Sequence, residues 1–88
     1  MPRPSNSESQ KRLGRSLGAE IQERRAGTPA AALASSSGVS LDTWRKLEQG
    51  GVPTPGFFLV ADIAGVLQVS LDDLASAARN RGQKESEA

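Results

Sequence analysis

The 88-residue chain carries 11 Lys and Arg against 10 Asp and Glu, 36% hydrophobic residues and three aromatics, Trp44, Phe57 and Phe58. This is room for one small domain. Without Cys or His there is no disulfide framework, thiolate nucleophile, zinc cluster or imidazole base, so the composition speaks against an enzyme and implies no cofactor or metal. No apolar run approaches the roughly 18 residues of a membrane span, and the start of the chain lacks a charged patch leading into an apolar stretch. The expectation is a cytoplasmic protein with no membrane partner.

Residues 1–9 hold two Pro, three Ser and an Asn and read as a flexible N-terminal arm. Leu13, Leu17 and Ile21 then recur at i, i+4 and i+8, which predicts a first helix. Thr28 with Pro29 reads as a cap followed by proline at the first helical position, opening a second helix through Ser36 that Gly38 stops in a left-handed conformation. Ser40 caps a third helix over residues 41–49, ended by Gly50 and Gly51, and Pro53 and Pro55 keep the next connection extended. Gly56 opens a fourth helix through about Leu67, with Val60, Ile63, Ala64 and Leu67 on one face. Ser70 caps a fifth, where Asp72 and Asp73 suit the positive end of the helix dipole and Leu71, Leu74, Ala75 and Ala78 form the apolar face. Residues 82–88 read as a disordered tail. No stretch alternates with period two, so the domain at 10–81 is expected to be all-α, with five helices and disordered termini.

The charge is unevenly spread. Residues 1–25 hold six basic groups against three acidic ones, whereas residues 57–88 hold three against five. A polyanion would meet attraction at one end of the chain and mild repulsion at the other.

The informative segment lies between Ala30 and Gln49. Ala34 is small where two helices must approach closely, Gly38 follows at the turn, and Val39, Trp44 and Leu47 can point inward from the third helix. Those are the requirements of a helix-turn-helix formed by helices 2 and 3. The opposite face of the third helix reads Asp42, Arg45, Lys46, Gln49, a polar stripe at i, i+3, i+4 and i+7. Such a stripe fits either a groove of DNA or an ordinary solvated face, in which Asp42 pairs with Arg45 and Lys46 for about 0.2–0.5 kcal/mol each.

With these residues in place the chain resembles the Cro and C1 repressor-like, Xre-type helix-turn-helix proteins. The resemblance covers roughly residues 13–74. It is carried by Leu33-Ala34, Gly38-Val39-Ser40, Thr43, Leu47-Glu48-Gln49-Gly50, Pro55, Ile63-Ala64 and Val69-Ser70-Leu71-Asp72-Asp73-Leu74. It implies a compact five-helix lambda repressor-like DNA-binding domain whose third helix lies in the major groove of double-stranded DNA. By the same resemblance Leu41, Asp42 and Lys46 face base edges, Arg45 reaches bases or phosphate, and Ser40 and Thr43 are phosphate-contacting hydroxyls, with Gln49 closing the stripe. Lys46 suits guanine, Asp42 a cytosine amino group and Leu41 a thymine methyl. Arg3, Lys11, Arg12 and Arg15 are candidates for an arm along the DNA backbone, Pro29, Ala30, Thr54 and Gly56 for further contacts to that backbone, and N–H groups at the start of the third helix or near Gly56 for anion contacts.

The chain departs from the family pattern at four places. Pro29-Ala30 stands where a phosphate-clamping Gln is frequent, and Gly51-Val52-Pro53-Thr54 has none of the basic residues common in that loop. Trp44 replaces a branched aliphatic residue, and Gln68 stands where a helix-ending glycine is usual. The first helix aligns with an offset of about one residue, leaving either Arg24 or Arg25 to pair with Glu48.

One short reading helix is expected to act within a homodimer on DNA. Phe57 and Phe58 are adjacent, so one of them is a candidate contact for a second subunit; equally, both fit a small core. The functional expectation is a sequence-specific, nucleoid-associated transcriptional regulator, a repressor in the simplest case. The alternative, on the same fold, is a protein-interaction module such as an antitoxin or adaptor with a protein partner.

Overall fold

The computed structural model describes the backbone of residues 7–87 and the side chains of residues 7–82. Five helices follow one another, with no strand among the described residues: α1 (Glu8–Arg25), α2 (Ala30–Ser37), α3 (Leu41–Glu48), α4 (Phe57–Leu67) and α5 (Leu71–Glu87).

Local chemistry sets the helix starts. At α1, Ser7 Oγ accepts from the Gln10 N–H at 3.2 Å and Gln10 Oε1 accepts from the Ser7 N–H at 3.0 Å. This reciprocal pair satisfies two donors that a helix start leaves orphaned, an arrangement worth about 1 kcal/mol. The helix therefore begins inside the segment expected to be an arm. Of that segment, residues 1–6, Arg3 among them, lie outside the described residues. Ser40 Oγ caps α3 by accepting from the Thr43 N–H, and Ser70 Oγ accepts from the Asp73 N–H at the start of α5.

Other boundaries also differ from the sequence expectation. Pro29 is itself the N-cap of α2, with an extended ψ of 140°, so Thr28 sits in the preceding turn and α2 begins at Ala30. Gln49 is the C-cap of α3, not its last residue. At the other end α5 continues to Glu87 through the stretch expected to be a tail. The physical reason is that nothing between Leu71 and Glu87 breaks a helix except Gly82, and Gly82 lies buried beside Ser16 of α1.

Helix α1 lies against α3 and α5, α2 against α3 and α4, and α4 against α5. The core is built from Ile21, Ala34, Trp44, Leu47 and Ile63, with Leu17, Leu33, Val39 and Val66 packed around it. Short helices such as the eight-residue α2 and α3 are marginal alone, so this shared core holds them. Leu13 and Ala75, placed on core faces by their spacing, are instead exposed.

Close approach of α1 and α3 depends on glycine. A methyl group on Gly18 would stand 2.2 Å from the Leu47 carbonyl oxygen, and one on Gly14 would stand 2.8 Å from Pro53 Cα. The two glycines, one turn apart, let the α1 backbone rest on the end of α3 and on the loop beyond it.

Candidate nucleic-acid interface

The turn between α2 and α3 follows from Gly38, which adopts φ 79° and passes its N–H and that of Val39 back to the carbonyls of Ser35 and Ala34. This left-handed residue redirects the chain within two positions, so that Ser40 can start α3. Ala34, 2% exposed, lets the two helices meet closely.

Helix α3 is divided cleanly between its two sides. Trp44 is fully buried and Leu47 nearly so, whereas Asp42, Arg45, Lys46 and Gln49 are all exposed. The stripe expected from the sequence is thus a solvent-facing row on a helix whose other side is anchored. Lys46 Nζ lies 3.3 Å from Asp42 Oδ2, and both side chains are largely exposed, so the pair contributes at most about 1 kcal/mol and opens easily. Among the described residues Arg45 forms no ion pair. Leu41 is half-buried and packs against the core, which leaves only part of its side chain for an outside partner.

Ser40 and Thr43 form a short relay at the start of α3. The Ser40 hydroxyl accepts from the Thr43 N–H at 3.1 Å and donates to Thr43 Oγ1 at 2.9 Å. With its oxygen accepting, Thr43 keeps its own hydroxyl proton to donate outward. Beside the other end of α3, Gly50 at φ 75° has no room for a side chain, because Arg15 Cγ and Cα would lie 2.8 and 2.9 Å from its Cβ. Arg15, exposed on α1, therefore stands against the loop that lacks basic residues of its own. Lys11 is exposed one turn earlier, and Arg12 is half-buried. Pro29, Thr54 and Gly56 are exposed, whereas Ala30 packs partly against the core.

The orientation of α3 is set by Glu48. Its carboxylate accepts from Trp44 Nε1 at 2.7 Å and from Arg25 Nε and Nη2, while Arg25 Nη1 also donates to the Thr28 carbonyl at 3.2 Å. Arg25, not Arg24, is thus the partner of Glu48, and one guanidinium ties α1, the turn before α2 and the end of α3 together. Arg24 instead pairs with Glu20 at 2.8 Å within α1. Burial alone would push the Glu48 carboxyl up, but hydrogen bonds from Arg25 and Trp44 and the charges of Arg25 and Arg45 outweigh it and hold the carboxyl below the usual range. The sequence does not reveal the role of Trp44 in this clamp, since an indole in place of an aliphatic residue signals only size. The feature that could have pointed to it is the i, i+4 spacing of Trp44 and Glu48, which puts indole and carboxylate on neighbouring positions of one helix side.

A family model described as a helix-turn-helix domain matches residues 16–77. No curated protein matches the chain. Among the described residues no helix is long and apolar enough to cross a membrane.

Proposed function

The chain belongs to the helix-turn-helix domain family, and from that premise we propose that it is a sequence-specific regulator of transcription which reads the major groove of double-stranded DNA with α3. The observation that carries this reading is the row Asp42, Arg45, Lys46 and Gln49, exposed on a helix held rigidly by Trp44, Leu47 and the Glu48 clamp. A reading helix needs that division, because base edges are discriminated only by side chains whose backbone is fixed.

In this proposal Lys46 leaves Asp42 to donate to a guanine, and Asp42 accepts from a cytosine amino group. Arg45 takes a base or a phosphate, Gln49 extends the row, and the exposed part of Leu41 meets a thymine methyl. Thr43 and Ser40 contact the strand at the start of α3, and Arg15 with Lys11 supplies charge at its far end. Arg12, Thr54 and backbone N–H groups at Ala30 and Gly56 complete the contacts to the DNA backbone, with Arg3 on the arm; Pro29, which has no N–H, adds none. The protein acts in the cytoplasm at the nucleoid, as a Cro/C1-type repressor in which occupancy of an operator is the output. It has no catalytic role and needs no cofactor.

A second reading, a module whose main partner is another protein, is favoured by one observation. The entry to α2 and the loop at 51–54 present no charged side chain, so the face carries fewer cations than phosphate binding usually recruits.

Binding of the chain to fragments of its own upstream DNA and to random duplex, between about 50 and 200 mM salt, separates the two. A regulator prefers the upstream fragment, and log K falls with log salt by about 0.9 for each phosphate neutralised. Lys46→Ala is expected to cost about 1–3 kcal/mol on the cognate site and much less on random duplex. Absence of saturable binding to either duplex at low salt would overturn the regulator in favour of the protein-binding module.

A further inference from the structure

The exposed row of α3 holds an anion among its cations. Arg45 and Lys46 carry positive charge there, Asp42 carries negative charge and Gln49 none. The Lys46 ammonium stands 3.3 Å from Asp42 Oδ2, one helical turn away, and among the described residues Arg45 forms no ion pair. Asp42 thus cancels one of the two positive charges that the row presents. The flanks do not restore it, because residues 29–31 and 51–54 carry no charged side chain. Attraction between this face and a phosphate backbone therefore depends strongly on whether Lys46 is free.

A carboxylate on such a face meets repulsion from most of what DNA offers. The phosphates are anions, and guanine N7 and O6 and thymine O4 are acceptors. Only an amino group, on cytosine or adenine, gives it a donor. The Asp42 side chain is 81% exposed and belongs neither to the core nor to the Glu48 clamp, so packing does not account for it. Its place in the first turn of α3 suits the positive end of the helix dipole, a service that needs no partner at position 46. What Asp42 does to Lys46 is the separate property.

We propose that Asp42 is a gate on Lys46 that sets specificity by withholding this cation from DNA of the wrong sequence. On arbitrary duplex the carboxylate keeps the ammonium, and the pair brings no net charge to the phosphates. Where the groove offers an amino group beside an acceptor, both partners exchange for base edges together. A G·C pair presents such a set, guanine N7 and O6 next to cytosine N4. The exchange is easy there because the ion pair is largely exposed to water and weak. This gating rests on the major-groove reading proposed above and adds to it a cause of weak binding elsewhere.

Titrations of Asp42→Asn, Lys46→Ala and the double variant on the upstream fragment and on random duplex test the gate, with circular dichroism to verify that each folds. Asn keeps the shape and an acceptor oxygen but gives up the charge that holds Lys46. Asp42→Asn is expected to tighten random-duplex binding roughly 8-fold at about 0.1 M salt and to steepen its salt slope by about 0.9, the share of one added phosphate contact. The upstream fragment gains less, since its amino contact loses a charged acceptor, so the preference for it falls. In the Lys46→Ala background the same substitution leaves the random-duplex slope unchanged, because there is no cation to free. If the wild type prefers the upstream fragment but Asp42→Asn leaves random-duplex affinity unaltered, the gate is overturned and the reading stands. An equal gain with and without Lys46 would also overturn the gate and make the carboxylate a simple repellent of phosphate. A wild-type chain that saturates neither duplex would overturn the reading and the gate together.

Discussion

Glu48 shows how one side chain places a helix. Its carboxylate serves an indole N–H within α3 and a guanidinium from α1, and it is nearly buried, so loss of its charge leaves Arg25 without its counterion. Glu48→Gln is expected to lower stability at neutral pH by about 1–3 kcal/mol in thermal or urea unfolding. The pH dependence follows from a folded carboxyl held below its ordinary value. The stabilisation is whole above the unfolded pKa, about 4.3, and is lost as pH falls through the folded value, because the unfolded chain takes up the proton first. In the Glu48→Gln variant this part of the acid-induced loss should vanish; an unchanged acid profile would remove Glu48 from the account. Gln68 is the second informative residue. It ends α4 at φ 61°, where a glycine would meet no Cβ penalty, so Gln68→Gly is expected to raise stability by about 1 kcal/mol in the same unfolding measurement.

At the scale of elements, two helix glycines make opposite predictions. Gly18 faces the α3 backbone, and a methyl group there cannot be accommodated unless α1 moves away from Leu47 and Glu48. Gly18→Ala should therefore destabilise by about 3 kcal/mol or more, the cost of overpacking against backbone that has no rotamer to change. Gly65 lies within α4 with nothing within 4 Å of the position of a Cβ. Gly65→Ala should stabilise by about 0.5–1 kcal/mol, the ordinary helix preference. Paired urea titrations decide both, and equal effects would show that α1 and α3 approach less closely than the structure has them. Periodicity alone marks both glycines as weak helix formers and distinguishes neither.

Across the whole molecule, α5 is joined to α1 by Arg81. Its guanidinium meets Glu20 Oε1 at 3.1 Å and also Glu23, while Arg24 holds the other oxygen of the buried Glu20. Arg81→Met keeps the apolar stem and removes the charge, and is expected to cost about 1–2 kcal/mol, reduced by the partial exposure of the pair. Because Arg81 is distant in the chain from the helix-turn-helix unit and α3 rests on α1 and α2, duplex affinity of the folded variant should be unchanged. A parallel loss of affinity and stability would show instead that α5 helps to set α3.

What the amino-acid sequence determined by itself was local: the five helices, the Gly38 turn, the Ser40 and Ser70 caps, and the two-sided pattern of α3. These depend on residues within a few positions of one another, where spacing and cap chemistry act directly. The resemblance narrowed the partner of Glu48 to two arginines, and only the three-dimensional path of α1 chose Arg25. Tertiary structure also decided that Leu13, Ala75 and both phenylalanines stay outside the core, that Arg15 stands beside Gly50, and that Arg81 joins α5 to α1. Each of these depends on how helices distant in sequence approach one another, and a helical period states that a residue has an apolar face without stating what, if anything, covers it.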